Sequence, residues 1–222
     1  MASAAPESTA VDPEDRSRAL SLFGDSVSRE TIARLDRFAE LLVERQTTLN
    51  LIARSTLPVI WTRHIADSLQ LLPLAPDARR WLDFGSGAGF PGLVIACAHV
   101  EVPGAHVELV ESIQKKANFL REVVDALSLP AVVRAQRIED VAAEGAARFD
   151  VITARAVAPL ERLLGYANPL LKRGAVGLFP KGQDVEAELT QASKSWNIEA
   201  DLIPSRTDPQ ARIVRVRRAT RY

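Results

Sequence analysis

The chain contains, at residues 81–92, the stretch WLDFGSGAGFPG. Its first four residues are a mostly apolar run typical of a buried strand. Four glycines follow within eight residues, so the backbone can turn sharply and approach a ligand without a Cβ in the way. Pro91 suits the first position of a helix, whose free N–H groups attract a carboxylate or a phosphate. We therefore interpret the stretch as a strand, a ligand-binding glycine loop and a helix, rather than as a turn without a ligand.

Short apolar runs and helical segments alternate from residue 80 onward. The runs predicted as strands are 81–84, 107–110, 131–135, 149–153, 175–179, 198–203 and 212–216. The helical segments between them are 91–99, 115–127, 138–143, 159–171 and 185–196. The alternation is typical of βαβ units. It predicts an α/β fold with a mostly parallel seven-stranded sheet, helices on both faces and a final antiparallel hairpin across residues 204–210.

The residues before the first strand predict three helices. Asp12 caps the first helix, the second begins near Ser28, and the third runs from Pro58 to Pro73. We expect residues 12–76 to form an N-terminal helical cap and residues 77–222 to form the domain that carries the glycine loop. Residues 1–11 are rich in Ala, Ser and Pro, and we expect them to be disordered.

The composition excludes several classes of protein. The 222 residues are 47% hydrophobic, and 28 basic side chains balance 28 acidic ones, so the overall charge does not indicate a nucleic-acid partner. Cys97 is the only cysteine in the sequence, which excludes an internal disulfide and a zinc site built on cysteines. No apolar run is long enough to cross a membrane, and the acidic start is unlike a targeting peptide. We expect a cytoplasmic protein with no membrane contact and no metal.

Two ligands fit the glycine loop. Gly87–Gly92 matches G-x-G-x-x-G with Glu111 about 20 residues further on, which indicates a nicotinamide dinucleotide. Aligned from Asp83, the loop is D-x-G-x-G-x-G and resembles motif I of class I S-adenosylmethionine (SAM)-dependent methyltransferases, which have a Rossmann-like fold. Asp83, Glu111 and Glu139 follow or end three successive strands. There they would organise the loop and the ligand's amino-acid moiety, accept the ribose hydroxyls and reach the adenine amino group. We favour SAM because it has an amine and no pyrophosphate.

The residues at the end of the fourth strand limit which kind of atom can accept the methyl group. Arg155 is expected at its carboxyl end, but the [DNS]-P-P-[YFW] motif of methyltransferases for exocyclic amines does not follow. Cys97 lies within a helix and is interpreted as a small buried hydrophobe, not as a nucleophile. Guanine N7 fits what remains, because its lone pair lies in the ring plane and carries no proton to remove. An Arg or Lys contact to O6 would recognise the base.

Several segments together resemble one family, the ribosomal RNA small subunit methyltransferase G family, over residues of about 20 to 217. The segments that carry the resemblance are 50–51, 63–68, 83–92, 110–112, 115–116, 119–121, 137–139, 154–156 and 180–183. The resemblance implies a cytosolic bacterial enzyme that methylates N7 of one guanine in 16S ribosomal RNA from SAM. Residues 77–222 would then be the SAM-binding methyltransferase domain. The partner would be 16S rRNA or a small ribosomal subunit particle, and we expect a monomer.

The resemblance also implies roles for particular residues. With the acids and glycines named above, the predicted cofactor-binding residues are Asp83, Gly85, Gly87, Gly89, Phe90, Glu111, Ile138, Glu139 and Arg155. The predicted RNA-binding residues are Asn50, His64, Lys115 and Arg137, to which the arginine-rich C-terminus adds Arg212, and the predicted catalytic residues are Arg155 and Lys181. The chain departs from many members at Arg45-Gln46, where they have Trp-Asn, and at Ile52 and Pro180.

Three alternatives stay open at this point: a SAM-dependent methyltransferase of a small molecule, an NAD-binding oxidoreductase, and a binding module without activity. The C-terminal arginines are open to two interpretations as well, a phosphate-binding face or a solubilising tail. We expect Gly85→Val to abolish SAM binding, because any Cβ would occupy the space where the ligand approaches.

Overall fold

The computed structural model describes residues 11–144 and 148–222. The expected disorder of the N-terminus falls, apart from Val11, outside the described residues. The described residues form seven strands, β1 (Arg80–Phe84), β2 (His106–Val110), β3 (Ala131–Arg134), β4 (Val151–Ala154), β5 (Val176–Lys181), β6 (Trp196–Pro204) and β7 (Arg212–Arg221). They also form eight α-helices, α1 (Pro13–Ser21), α2 (Arg29–Leu49), α3 (Asp67–Leu69), α4 (Gly92–Ala98), α5 (Gln114–Ala126), α6 (Ile138–Glu144), α7 (Leu160–Leu171) and α8 (Val185–Ala192).

The seven strands form one sheet in the order β3-β2-β1-β4-β5-β7-β6. Strands β1 to β5 are parallel, whereas β7 is antiparallel to both β5 and β6. The α/β fold, the seven strands and the final hairpin are therefore confirmed. Because parallel strands all end at the same edge, the loops after β1 to β5 meet there, and such an edge is where open α/β sheets bind ligands.

The C-terminal hairpin differs from the expectation in length. Strand β7 continues to Arg221 instead of ending near residue 216, and the helix expected over 185–196 ends at Ala192, so that Trp196 begins β6. The arginine-rich C-terminus is thus a strand paired between two others, and its interpretation as a solubilising tail is wrong. Local sequence did not reveal the extension, because residues 217–221 contain three arginines and are ordered by their pairing with β6.

The N-terminal helices begin where their capping residues predict. Asp12 accepts a hydrogen bond from the Glu14 backbone N–H at 2.9 Å, and the Ser28 hydroxyl accepts from Thr31 N–H at 3.1 Å. The third helix is less regular than expected, since a π-helical turn over Trp61–Ala66 leads into α3 and a 3₁₀ turn over Leu72–Leu74. These elements hold the residues after α2 against the ligand edge of the sheet.

Two hydrophobic clusters cover the two faces of the sheet. Side chains alternate along β1, so that Trp81 joins one cluster and Leu82 and Phe84 join the other. The cluster around Trp81 also contains Phe38 and Trp61 from the N-terminal helices. The N-terminal helices therefore share a core with one face of the sheet. None of the described helices has both the length and the apolar composition needed to cross a membrane.

Candidate functional site

A cavity of about 1010 Å³ opens at the carboxyl ends of the parallel strands. Its walls come from the glycine loop, the segments after β2, β3, β4 and β5, residues between 51 and 70 of the N-terminal region and the turn between β6 and β7. The predicted residues in these walls are His64, Gly85, Gly87, Phe90, Glu111, Arg137, Ile138, Glu139, Arg155, Lys181 and Arg212. The fold thus brings together side chains that lie far apart in the sequence.

The glycine loop needs its glycines for backbone conformation and for packing. Gly85 and Gly87 have φ angles of +66° and +55°, in the left-handed region that other residues rarely adopt. A Cβ on Gly85 would lie 2.6 Å from Cγ2 of Val157, whereas a Cβ on Gly87 would meet nothing closer than 3.8 Å. The space beside Gly85 is thus occupied by the protein's own side chain, which changes the reason expected for the effect of Gly85→Val.

Asp83 lies beneath the loop and not in the cavity wall. Its carboxylate accepts hydrogen bonds from the Thr153 hydroxyl at 2.8 Å and from the Gly92 backbone N–H at 3.2 Å. Burial raises the pKa of Asp83 to about 6. The residue therefore organises the start of α4, as the motif predicts, but the structure does not bring its carboxylate to the ligand side.

Glu111 directly follows β2 and ties the loop to that strand. One carboxylate oxygen accepts from the Gly87 backbone N–H at 2.9 Å, and the other accepts from the Ile113 N–H at 2.7 Å. These bonds fix the carboxylate in the cavity wall. Because a carboxylate oxygen has two lone pairs, each oxygen keeps an acceptor for a ligand hydroxyl.

Glu139 lies on α6, at the end of the cavity beside β3. Its Oε1 accepts from the Tyr166 hydroxyl at 2.8 Å and from Nη2 of Arg162 at 3.3 Å. Its own backbone N–H and the Tyr166 hydroxyl lower the pKa of Glu139, so the carboxylate stays charged. Tyr166 and Arg162 stand four residues apart on one face of α7 and also line the cavity, a spacing that sequence reasoning had not used.

Arg155 directly follows β4 and lines the cavity. Its guanidinium donates to Oδ2 of Asp67 at 3.3 Å, to the Arg63 carbonyl at 3.1 Å and to Nδ1 of His64 at 2.8 Å. It also lies 5.3 Å from the ring centroid of Phe90. These contacts join the N-terminal helices to the end of β4 and fix the orientation of the guanidinium.

His64 is held neutral by this arrangement. Burial, followed by the charge of Arg155, lowers the pKa of His64 to about 3. An unprotonated Nδ1 accepts from Arg155, so Nε2 carries the proton and donates to the Thr56 hydroxyl at 2.9 Å. The imidazole stacks on Phe90 at a centroid distance of 4.9 Å. His64 therefore supports Arg155 and is not a second cation.

Lys181 is the last residue of β5 and also lines the cavity. Its Nζ donates to the Ala158 carbonyl at 2.8 Å and to Oε2 of Glu188 at 2.7 Å. The same Oε2 accepts from the Leu160 backbone N–H at 2.7 Å. A cation and a carboxylate are therefore fixed side by side at the cavity wall.

Four predicted site residues lie elsewhere in the described structure. Besides Asp83, Gly89 lies within the loop, and Asn50 ends α2 in the left-handed conformation at a φ of 47°. Lys115 lines a second, smaller cavity of about 380 Å³ between α2 and α5, whereas its neighbour Lys116 lines the large one. Successive residues of a helix point about 100° apart. The motif therefore located the basic pair but not which lysine enters the cavity.

The C-terminal arginines divide into two groups. Arg212 lines the cavity and donates to the carbonyls of Pro209 and Ala211. Arg215 and Arg217 instead form ion pairs with Asp201 on β6. The basic C-terminus therefore contributes Arg212 to the cavity, whereas Arg215 and Arg217 are neutralised within the hairpin.

Sequence reasoning missed several residues in the cavity walls. They are Thr56, Asp67, Gln70, Lys116, Gln136, Val157, Arg162, Tyr166, Glu188 and Ser205. Asp67 stands inside a segment that carries the family resemblance, and Glu188 follows Lys181 by seven residues, but neither signal is strong without the fold. Among the described residues, no group of three or more His, Cys, Asp or Glu side chains could hold a metal ion.

Comparisons with known proteins place the chain among relatives of one family. Residues 31–211 match the family model described as rRNA small subunit methyltransferase G. The ribosomal RNA small subunit methyltransferase G of Nitrobacter hamburgensis is 58% identical over 207 residues, which cover 93% of this chain and 79% of that protein. The protein of that name from Rhodopseudomonas palustris strain HaA2 is 53% identical over 222 residues, covering 100% of this chain and 94% of that protein.

Solved structures share the fold at low identity. An O-methyltransferase from Bacillus cereus, in complex with SAH, aligns with a TM-score of 0.59 and 18% identity over 82% of this chain and 90% of its own. The O-methyltransferase TomG from Streptomyces achromogenes, in complex with SAM, aligns with a TM-score of 0.59 and 14% identity over 91% and 96%. The chain therefore has the class I methyltransferase fold.

Proposed function

The chain belongs to the rRNA small subunit methyltransferase G family, and from this membership we propose that it transfers a methyl group from SAM to N7 of one guanine in 16S ribosomal RNA. The observation that carries the proposal is that bare glycine backbone, Glu111, Arg155 and Lys181 all lie in the walls of one cavity. Its volume is at the upper limit for pockets that bind one small ligand, which leaves room for a base beside the cofactor.

The walls beside β1, β2 and β3 fit SAM. Gly85 and Gly87 present backbone without side chains, and the fixed carboxylate of Glu111 keeps a lone pair on each oxygen for the ribose hydroxyls. Ile138 and Glu139 would hold the adenine ring and its amino group. Asp83 acts through the loop and not by direct contact, since it holds the first residue of α4 from below.

The transfer needs alignment more than acid–base chemistry. When bound, SAM supplies a methyl group on a sulfonium sulfur, and the S–C bond breaks as the bond to N7 forms, with the electron pair left on sulfur and the positive charge passed to the purine. Guanine N7 carries no proton, so no residue has to act as a base. Holding the reactants in line can lower a barrier by about 7–11 kcal/mol. We assign that alignment to Arg155 and Lys181.

We propose further that Arg137, Lys116 and Arg212 contact RNA phosphates around the mouth of the cavity, with His64 holding Arg155 in place. Residues 12–76 would form a cap over the base and residues 77–222 the SAM-binding domain. The enzyme would act in the cytoplasm, as a monomer, on 16S rRNA or on a small subunit particle. The nicotinamide alternative is set aside, because the chain belongs to a methyltransferase family.

Methyl transfer to ribosomal RNA tests the proposal directly. Small ribosomal subunits from a bacterium without this enzyme are incubated with the protein and SAM, and the digested 16S rRNA is analysed by mass spectrometry. We expect one 7-methylguanosine per 16S rRNA. Arg155→Ala should abolish it, whereas Arg218→Ala, on an exposed part of β7, should not. Methylation of another atom would overturn the N7 assignment, and calorimetric binding of NADH but not SAM would overturn the methyltransferase.

A further inference from the structure

Lys181 and Glu188 together present one hydrogen-bond donor and one acceptor to the cavity. Lys181 has three N–H groups, and two of them bond to Ala158 and Glu188. Glu188 uses only Oε2, which accepts from both Lys181 and Leu160. No hydrogen bond from the residues that the structure describes reaches Oε1. Both side chains line the cavity, so the remaining N–H and the remaining oxygen are available to a ligand there.

The order of these groups matches the edge of a guanine. Along that edge, N1–H is a donor, O6 is an acceptor and N7 is an acceptor, in that sequence. Lys181 and Glu188 bond to each other, and both also contact the segment after β4, Lys181 at the Ala158 carbonyl and Glu188 at the Leu160 N–H. A guanine that donates N1–H to Glu188 and accepts from Lys181 at O6 leaves N7, the next acceptor along this edge, free to receive the methyl group.

We propose that Glu188, paired with Lys181, selects guanine as the methylated base by accepting a hydrogen bond from its Watson–Crick edge. The assignment rests on the proposed function and names the residue that makes that site specific for guanine. Adenine presents a donor at N6 and an acceptor at N1. The Lys181 N–H would then face a donor, and the Glu188 carboxylate would face an acceptor. Uracil shares the acceptor–donor pattern of guanine but has no N7 to methylate.

Glu188 also has a structural contact, which the test must separate from base recognition. Its Oε2 accepts from Leu160 N–H at the first turn of α7, so removal of the side chain would disturb that helix. Glu188→Gln keeps an oxygen for this bond but turns an NH₂ group towards the base, donor against donor. Glu186, on the same helix, is exposed and supplies the matched control Glu186→Gln.

The experiment compares bases as well as variants. Small subunits are reconstituted with 16S rRNA that carries guanosine, inosine or adenosine at the methylated position, and methyl transfer is measured with the wild type, Glu188→Gln and Glu186→Gln. For Glu188→Gln we expect kcat/KM on guanosine to fall about 10- to 100-fold, with the SAM Kd within about twofold. Its preference for guanosine over adenosine should narrow by a similar factor. Glu186→Gln should match the wild type.

Inosine gives a test that does not depend on the folding of any variant. It keeps O6 and N1–H and lacks only the 2-amino group, so the wild type should methylate it within about tenfold of guanosine and far faster than adenosine. Equal rejection of inosine and adenosine would overturn the assignment. So would a Glu188→Gln enzyme whose guanosine-to-adenosine ratio is unchanged, since a purely structural role would lower all rates together. If the wild type forms no 7-methylguanosine, the proposed function itself fails, and the assignment with it.

Discussion

Replacement of Gly85 by alanine separates two reasons for a glycine in the loop. The backbone there has a φ of +66°, and a Cβ would lie 2.6 Å from Cγ2 and 3.3 Å from Cγ1 of Val157. The left-handed conformation costs a residue with a Cβ about 1–2 kcal/mol. Overpacking against Val157 adds about 1–3 kcal/mol. We therefore expect Gly85→Ala to lower the free energy of unfolding by about 2–5 kcal/mol.

A second substitution removes only the steric part. In Val157→Ala the closest remaining atom is Cβ, 3.5 Å from the new methyl group, which is an ordinary contact. The double variant should therefore recover about 1–3 kcal/mol relative to the sum of the single variants. Gly87→Ala is the matched control, because its φ is +55° and the closest atom is 3.8 Å away. Its free energy of unfolding should fall only by the conformational cost of about 1–2 kcal/mol.

Urea unfolding without ligand gives the free energy of unfolding of all four variants, and calorimetry gives their affinity for SAM. For a chain of this size, each kcal/mol lost from the free energy of unfolding lowers Tm by about 2–4 °C. We expect SAM affinity to fall in Gly85→Ala and to return in part with Val157→Ala. Additivity of the two substitutions within about 0.5 kcal/mol would refute the reasoning, because Val157 would then not be what a Cβ at this position meets.

Three further predictions follow from the charged groups of the cavity. The pKa of His64 is lowered to about 3 in the folded protein, so as pH falls the histidine of the unfolded chain is protonated before that of the folded chain. The free energy of unfolding should therefore decrease as pH falls from 6.5 towards 3, by about 1.4 kcal/mol per pH unit. The difference in unfolding free energy between wild type and His64→Gln should follow that slope, and a constant difference would contradict it. Arg155→Lys should lower kcat/KM at least about tenfold, because a lysine cannot make the three bonds of the guanidinium; full activity in the methyl-transfer assay would contradict this. Arg212→Ala should reduce the salt dependence of RNA binding by about one phosphate contact, whereas Arg217→Ala, whose side chain is already paired with Asp201, should leave the slope unchanged in filter binding.

The strand–loop–helix unit was predictable because its signals are local. Apolar runs, glycines with positive φ and capping residues such as Asp12 and Ser28 act within a few residues of themselves. Those signals predicted the seven strands, and the helices between them, within a few residues of their observed bounds. The strand ends then brought Glu111, Arg155 and Lys181 to one edge, because parallel strands end together.

Other features depended on partners that are distant in the sequence. Asp83 matches the loop motif, but its burial and its bond to Thr153 on β4 decide that it supports the loop from below. The choice between Lys115 and Lys116 depends on how α5 is rotated against α2. Arg217 resembled a free cation until strand pairing placed it beside Asp201. In each case the decisive quantity is burial or a contact across the sheet.

The α/β fold, the family and the sheet edge that carries the cavity were predictable from the residues alone, since they follow from short-range patterns and from motif spacing. The contacts of each charged group at that edge became known from the folded chain: His64 is neutral beside Arg155, and Glu188 is paired with Lys181 through one of its two carboxylate oxygens. The reason is physical, because a pKa, an ion pair or an available lone pair depends on distances across space, which no local pattern of residues specifies.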